Sequence, residues 1–169
     1  MTEAVSDELR GSLRGTLRTL AMHVELLCKS PATRAALRRG TPTDVAHTAA
    51  FHRVLTMAGI EDDSAERLLR WATVVQCMAI GGDSRAPLSD GAMLARVGFS
   101  ESRFSRLLTA GGSTVQDQCV LASRFLHARE HPCRWDDLGA LLVLDSRSGE
   151  STERIRLRLA RDYFRMLGD

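Results

Sequence analysis

Hydrophobic residues recur at three- and four-residue intervals along almost the whole chain, the spacing of one face of an α-helix. Strand-like alternation is convincing only over residues 155–159, and there the apolar positions continue at helical spacing. One predicted face carries Ile155, Leu159, Tyr163 and Met166, and the opposite face carries Arg154, Arg158, Arg161 and Arg165. The pattern therefore predicts an all-α protein.

Prolines and glycines divide this pattern into eight or nine helices. Serine or threonine stands at several of the predicted starts, and we expect Thr43, Ser64, Ser100 and Ser113 to cap them. The predicted helices are residues 7–29, 31–39, 43–58, 64–80, 89–97, 100–110, 113–130, 135–143 and 150–167. We expect them to form a compact bundle.

The chain has 169 residues, of which 44% are hydrophobic and 26% charged, and this suits one helical domain over residues 1–169. Neither a leader peptide nor an apolar run long enough to cross a membrane is evident, so we expect a cytoplasmic protein that does not contact membranes. The four cysteines are scattered without C-x-x-C spacing, which favours reduced thiols in the core.

The net charge is only +2, so any affinity for nucleic acid must come from local clusters of charge. Between Glu25 and Asp44 every charged residue is basic. Within this segment Arg34 and Arg38 share one face of the predicted helix 31–39, and Arg39 lies beside them. Guanidinium groups fit phosphate oxygens, so the segment indicates a phosphate backbone as partner, although a solvated surface explains it equally well.

Further arginines repeat this signal on other predicted helices. Arg103 and Arg106 are three residues apart and can contact successive phosphates from one face. Phe104 and Phe125 are interpreted as core residues, so we do not expect bases to be read by stacking. The predicted nucleic-acid contacts are Arg34, Arg38, Arg39, Arg53, Arg103, Arg106, Arg124 and Arg147.

Catalytic and metal-binding patterns are weak. His127, His131 and Cys133 could approach one another at a helix end, but a fourth ligand is missing and Arg129 and Arg134 would repel a cation. We interpret these histidines as residues that favour the helix dipole, and the Asp62-Asp63 and Asp136-Asp137 pairs as residues of helix starts. No nucleophile elbow or phosphate-binding glycine loop is present, so we expect no metal, no cofactor and no catalytic activity.

Two other functions remain open at this point. Residues 94–108 resemble a helix-turn-helix, with Gly98 at the turn and Ser100 capping the second helix, as in a DNA-binding transcriptional regulator. A helical interaction protein without a nucleic-acid role is the other possibility, in which case the arginines only solubilise the surface.

Seven segments in order resemble the CasB family, the small subunit of the type I-E CRISPR Cascade complex, and the resemblance extends over roughly residues 7–167. The family's paired arginines correspond to Arg38 and Arg39, its Phe-x-Arg to Arg53, and the arginine of its Arg-Φ-x-x-Leu-Leu helix to Arg103. The segments are RAALRRG (34–40), AFHRV (50–54), ERLLRW (66–71), GAMLAR (91–96), ESRFSRLL (101–108), WDDL (135–138) and RLRLARDY (156–163).

This resemblance implies an all-helical, non-catalytic subunit that is present as a head-to-tail pair beside the large subunit and the backbone subunits of Cascade. It implies contacts with guide RNA, target DNA and the displaced strand that stabilise the R-loop without reading sequence, which base pairing reads instead.

Overall fold

A computed structural model describes the backbone of residues 2–144 and 149–168 and the side chains of residues 12–144 and 149–168. The described residues form ten α-helices and no strand, so the all-α prediction is confirmed. The helices are α1 (Thr2–Leu27), α2 (Pro31–Arg38), α3 (Pro42–Ala46), α4 (Ala49–Met57), α5 (Ala65–Gly81), α6 (Asp90–Arg96), α7 (Glu101–Thr109), α8 (Ser113–Ala128), α9 (Asp136–Leu144) and α10 (Glu150–Gly168).

Helix α5 is the centre of the fold, because every residue from Arg70 to Ile80 is buried. A helix that is buried on all sides needs neighbours all around it, and α1, α2, α3, α8 and α9 pack against it. The buried side-chain amide of Gln76, on α5, has a hydrogen-bond partner: its Nε2 donates to the main-chain oxygen of Gly40 at 2.9 Å. That bond fixes the end of α2 against the core.

One predicted helix is two helices in the structure. The segment expected over residues 43–58 breaks at His47 and Thr48, because the Thr48 side chain accepts from the main-chain N–H of Phe51 and starts α4. Its predicted cap was also wrong. Thr41, not Thr43, caps α3, in a capping box with Asp44.

The other predicted caps are confirmed at two of three positions. Ser64 and Ser100 accept main-chain N–H groups at the starts of α5 and α7. The cap of α8 is Gly112 and not Ser113, since Ser113 is already helical.

A second packing unit joins α6, α9 and α10. Asp90, at the start of α6, accepts hydrogen bonds from the main-chain N–H groups of Asp137 and Leu138 at 2.8 and 2.9 Å. These donors lie in the first turn of α9, where helices have no internal acceptor for them. Asp90 therefore caps α9 from another helix.

The apolar face predicted for the last helix is confirmed. Ile155, Leu159 and Tyr163 of α10 are buried, and the ring of Tyr163 stacks on Phe104 with 3.8 Å between centroids and 7° between planes. The stacking joins α10 to α7, which carries two of the predicted nucleic-acid contacts.

Candidate nucleic-acid interface

Helix α2 presents the arginines of the acid-free segment. Ser30 caps its start and Pro31 occupies its first turn. Gly40, just after its end, has a φ of 75°, a conformation that does not continue a right-handed helix. Leu37 is buried against the core, and the other residues of the short helix are exposed or half-buried. Arg34 and Arg39 are exposed, whereas Arg38 is half-buried.

Arg38 is held by two other helices. Its Nη2 atom donates to the main-chain oxygen of Ile80 on α5 at 2.9 Å, and it lies 2.9 Å from Nε2 of His127 on α8. Arg38 is therefore not a freely solvated side chain. One edge of the guanidinium is engaged within the protein, and the side chain also lines a surface cleft.

Helices α7 and α8 carry a second group of arginines. Arg103 lies over the ring of Phe125 with 5.6 Å between its guanidinium carbon and the ring centroid, and Arg129 lies over the same ring at 4.9 Å. Arg106 and Arg124 are exposed on α7 and α8. Phe104 is fully buried and Phe125 half-buried, which agrees with their interpretation as core residues.

The two groups meet on α8. Arg124 and His127 are three residues apart on that helix, and His127 contacts Arg38 of α2. Arg53 is exposed on α4, which packs against α1 and α2. Arg147 lies outside the described residues. The structure thus brings Arg34, Arg38 and His127 to one cleft, and Arg124 lies one turn before His127 on α8.

Ion pairs divide the described arginines into two classes. Many arginines, chiefly on α1, α10 and near α9, bond carboxylates; Asp137, for example, accepts from Arg14 at 3.1 Å and from Arg158 at 2.7 Å. The paired class is Arg14, Arg18, Arg67, Arg70, Arg85, Arg134, Arg154, Arg156, Arg158 and Arg161.

No carboxylate of the described residues pairs with the predicted contacts on α2, α4, α7 and α8. The unpaired class is Arg34, Arg38, Arg39, Arg53, Arg103, Arg106 and Arg124, with Arg96, Arg129 and Arg165 in addition. The charge of an arginine that bonds no carboxylate is not offset within the protein. This class is therefore the better candidate for binding phosphate.

Sequence reasoning missed two members of this surface. Lys29 and His127 line the same cleft as Arg34 and Arg38. Lys29 belongs to the acid-free segment and could have been included on that signal. The position of His127 could not, since it depends on the packing of α8 near α2.

The possible metal ligands are separated in the structure. Helix α8 ends at Ala128 and Glu130 has a φ of 57°, so His131 does not continue the helical face of His127. The Cys133 thiol is buried and donates to Asp90 at 3.4 Å, and the described residues contain no group of ligands suited to a metal ion. The four cysteines are free, and burial raises the pKa of Cys77 to about 12.

The acidic pairs lie at helix starts, as predicted. Asp62 accepts from the main-chain N–H of Ser64 at 3.0 Å just before α5, and Asp136 and Asp137 lie in the first turn of α9.

The segment that resembles a helix-turn-helix, residues 94–108, forms parts of two helices joined through Gly98. However, α6 packs mainly on α10, and α7 packs on α8. Among the described residues, none of the helices has the length and apolar character needed to cross a membrane.

A family model described as CRISPR-associated protein Cse2 matches residues 33–164, which extend from α2 into α10 and include every predicted contact residue. The comparisons with curated proteins and with solved structures give no match. The chain belongs to the CRISPR-associated protein Cse2 family, also called CasB, the small subunit of the type I-E CRISPR Cascade complex.

Proposed function

We propose that this Cascade subunit holds the sugar-phosphate backbones of guide RNA, target DNA and displaced strand, and so stabilises the R-loop. The observation that carries the proposal is the separation of the two arginine classes. Unpaired guanidinium groups lie on α2, α4, α7 and α8, where they retain their charge for phosphates.

The contacts are non-specific in this proposal. Phe104 is fully buried and Phe125 is covered by Arg103 and Arg129, so neither ring offers an open face to a base. The subunit contributes charge and position, while base pairing between guide and target selects the sequence. It needs no cofactor or catalytic residue for this role.

Protein partners are proposed on separate surfaces. Leu157 and Phe164 lie seven residues apart on one face of α10 and are 62% and 48% exposed, and Met22 on α1 is 58% exposed. We propose that such apolar side chains dock on the large subunit, the backbone subunits or a second copy of this chain. Replacing Leu157 and Phe164 by serine should reduce co-purification with Cascade and leave the nucleic-acid affinity of the isolated chain unchanged.

The test of the nucleic-acid role is the salt dependence of binding to single-stranded DNA, duplex DNA and an RNA–DNA heteroduplex. Arg53→Gln and Arg106→Gln should each weaken binding equally for all sequences and lower the logarithmic salt slope by roughly 0.7 to 0.9, the value expected for one lost phosphate contact. Arg161→Gln is the matched control, because Arg161 is also exposed but pairs with Asp162 at 3.2 Å.

Three results would contradict the proposal. If Arg53→Gln and Arg106→Gln bind like the wild type at every salt concentration, these residues do not contact phosphate. If one palindromic duplex is bound far more tightly than the others, residues 94–108 act as the reading unit of a transcriptional regulator. If no nucleic acid is bound, alone or within Cascade, the chain is a protein-interaction subunit.

A further inference from the structure

Two arginines that pair with no carboxylate of the described residues lie over the ring of Phe125 on α8. The guanidinium carbon of Arg129 is 4.9 Å from the ring centroid, and that of Arg103 is 5.6 Å from it. The ring itself is half-buried and packs edge-on against Phe99, with 5.3 Å between the two centroids. A ring fixed in this way attracts a guanidinium group and holds it at one place on the surface.

Arg129 is held by a second contact as well. It stands at the end of α8, and its Nη1 atom donates to the main-chain oxygen of Val97 at 3.1 Å. Val97 ends α6, and the last carbonyl groups of a helix have no partner within that helix. The ring and the carbonyl group together restrict the guanidinium, so little conformational freedom remains to be lost when a ligand binds.

These two contacts leave one side of the Arg129 guanidinium open. The side chain is exposed, although part of it lies over Phe125 and one N–H group donates to Val97. A guanidinium is planar, so a planar group can lie on the side that the ring does not occupy. Unstacked bases of single strands pack on arginine in this way. A phosphate would instead use the fork of N–H groups, which Val97 already occupies in part.

The surrounding charges favour a nucleic-acid strand as the source of this base. Arg103 lies over the same ring, and Arg96 is exposed in the last turn of α6, next to Val97. Glu130 follows Arg129 in the chain but forms no ion pair with it. A base packed on Arg129 would therefore bring its own phosphate near arginines whose charge is not offset.

We propose that Arg129, supported by Phe125, packs against one unpaired base of a nucleic-acid strand, while Arg103 contacts the phosphate of that nucleotide. This inference rests on the proposed function and adds a base contact to its phosphate contacts. The contact does not read sequence, since every base has a π face. It requires a base that has left its duplex, as the bases of a displaced strand have.

The experiment compares two strands that carry the same phosphates. The full chain is titrated with a labelled oligodeoxythymidine and with a strand of equal length made of abasic nucleotides. Wild type should prefer the thymidine strand by about two- to fivefold, the effect of one exposed contact between a cation and a π system. Arg129→Gln should lose most of this preference.

Substitution by lysine separates the charge of Arg129 from its planar shape. Arg129→Lys keeps the positive charge, so its salt dependence should match that of the wild type. It offers no plane to a base and should lose most of the preference for the thymidine strand.

Arg124→Lys is the matched control for Arg129→Lys. Arg124 is exposed on the same helix, and among the described residues it lies over no ring and pairs with no carboxylate. This variant should keep the wild-type preference for the thymidine strand. Thermal unfolding of each variant establishes that the fold is intact.

The outcomes distinguish this inference from the proposed function. If wild type binds the thymidine and abasic strands equally, or if Arg129→Lys keeps the wild-type preference, Arg129 does not pack against a base. Salt-sensitive binding of both strands would then leave the proposed function standing. Absence of binding to either strand at low salt, alone or within Cascade, would overturn both.

Discussion

The guanidinium of Arg38 donates a hydrogen bond of 2.9 Å to the main-chain oxygen of Ile80. Ile80 lies in the last turn of α5, where the carbonyl groups have no partner within the helix. Arg38 therefore satisfies the end of the central helix from α2. A residue predicted as a phosphate contact also stabilises the fold.

Replacing Arg38 by alanine should lower the free energy of unfolding by roughly 1 to 3 kcal/mol, the usual cost of removing a charged hydrogen-bond donor from a partly buried carbonyl. Arg34→Ala and Arg39→Ala should change it by less than about 0.5 kcal/mol, because both side chains are exposed. Urea unfolding measures all three. Equal midpoints for Arg38→Ala and Arg39→Ala would contradict the capping role.

The different environments of Arg38 and its exposed neighbours show which part of the site the sequence could not predict. The helical face of Arg34 and Arg38 follows from their spacing, and so does the end of α2 near Gly40. The burial of Arg38 depends on residues 42 and 89 positions away in the chain. The pairing of other arginines with Asp136 and Asp137 is equally long-range, so the charge pattern alone could not separate paired from unpaired arginines.

Helix starts were predictable where one polar residue stands before an apolar run, as at Ser64 and Ser100. The break between α3 and α4 was not found, because residues 43–58 contain no proline or glycine to mark it. The capping box from Thr41 to Asp44 was a local signal for the correct start of α3. Thr43 was preferred because it lies directly before Asp44.

Gly91 should not tolerate a side chain. A Cβ atom added there would collide with the main-chain oxygen of Leu159, and main chain within a packed helix cannot move aside cheaply. We expect Gly91→Ala to lower the free energy of unfolding by roughly 1 to 3 kcal/mol or more. The measurement is urea unfolding, followed by tryptophan fluorescence.

Gly15 on α1 is the matched control for Gly91. Nothing lies within 4 Å of a Cβ added at Gly15, and alanine is the better helix former. Gly15→Ala should therefore raise the free energy of unfolding, by about 0.5 to 1 kcal/mol. The interpretation of the α6–α10 contact would be wrong if both substitutions had the same sign.

Asp90 should make the stability of the protein fall as the pH rises from about 4 to 6. Burial is the largest cause that raises its pKa from 3.8 to about 6, although the main-chain N–H groups of Leu138 and Asp137 oppose it. Between these values the folded state holds the proton more tightly than the unfolded state, so raising the pH disfavours folding. Hydrogen bonds lower the pKa of Asp44 and of Asp83, so the contributions of these two residues to stability change at lower pH than that of Asp90.

Asp90→Asn isolates this contribution. The variant should be less stable at every pH, because Asp137 and Leu138 donate to one carboxylate oxygen and Trp135 donates to the other, and an amide group has only one oxygen that can accept. Its free energy of unfolding should also lose the part of the pH dependence between about pH 4 and 6 that belongs to Asp90. Urea unfolding at several pH values measures both effects, and parallel curves for variant and wild type would contradict the assignment.

Phe125 should affect nucleic-acid binding through Arg103, although its own ring is covered. The ring lies 5.6 Å from the guanidinium carbon of Arg103 and holds that charge at the surface of α7. An exposed cation–π contact contributes about 0.5 to 1 kcal/mol, so Phe125→Leu should weaken binding by about two- to fivefold at low salt. A double-mutant cycle with Arg103→Gln measures the coupling. If Arg103→Gln weakens binding equally in the wild-type chain and in the Phe125→Leu variant, the ring does not position Arg103, and the two residues contribute independently.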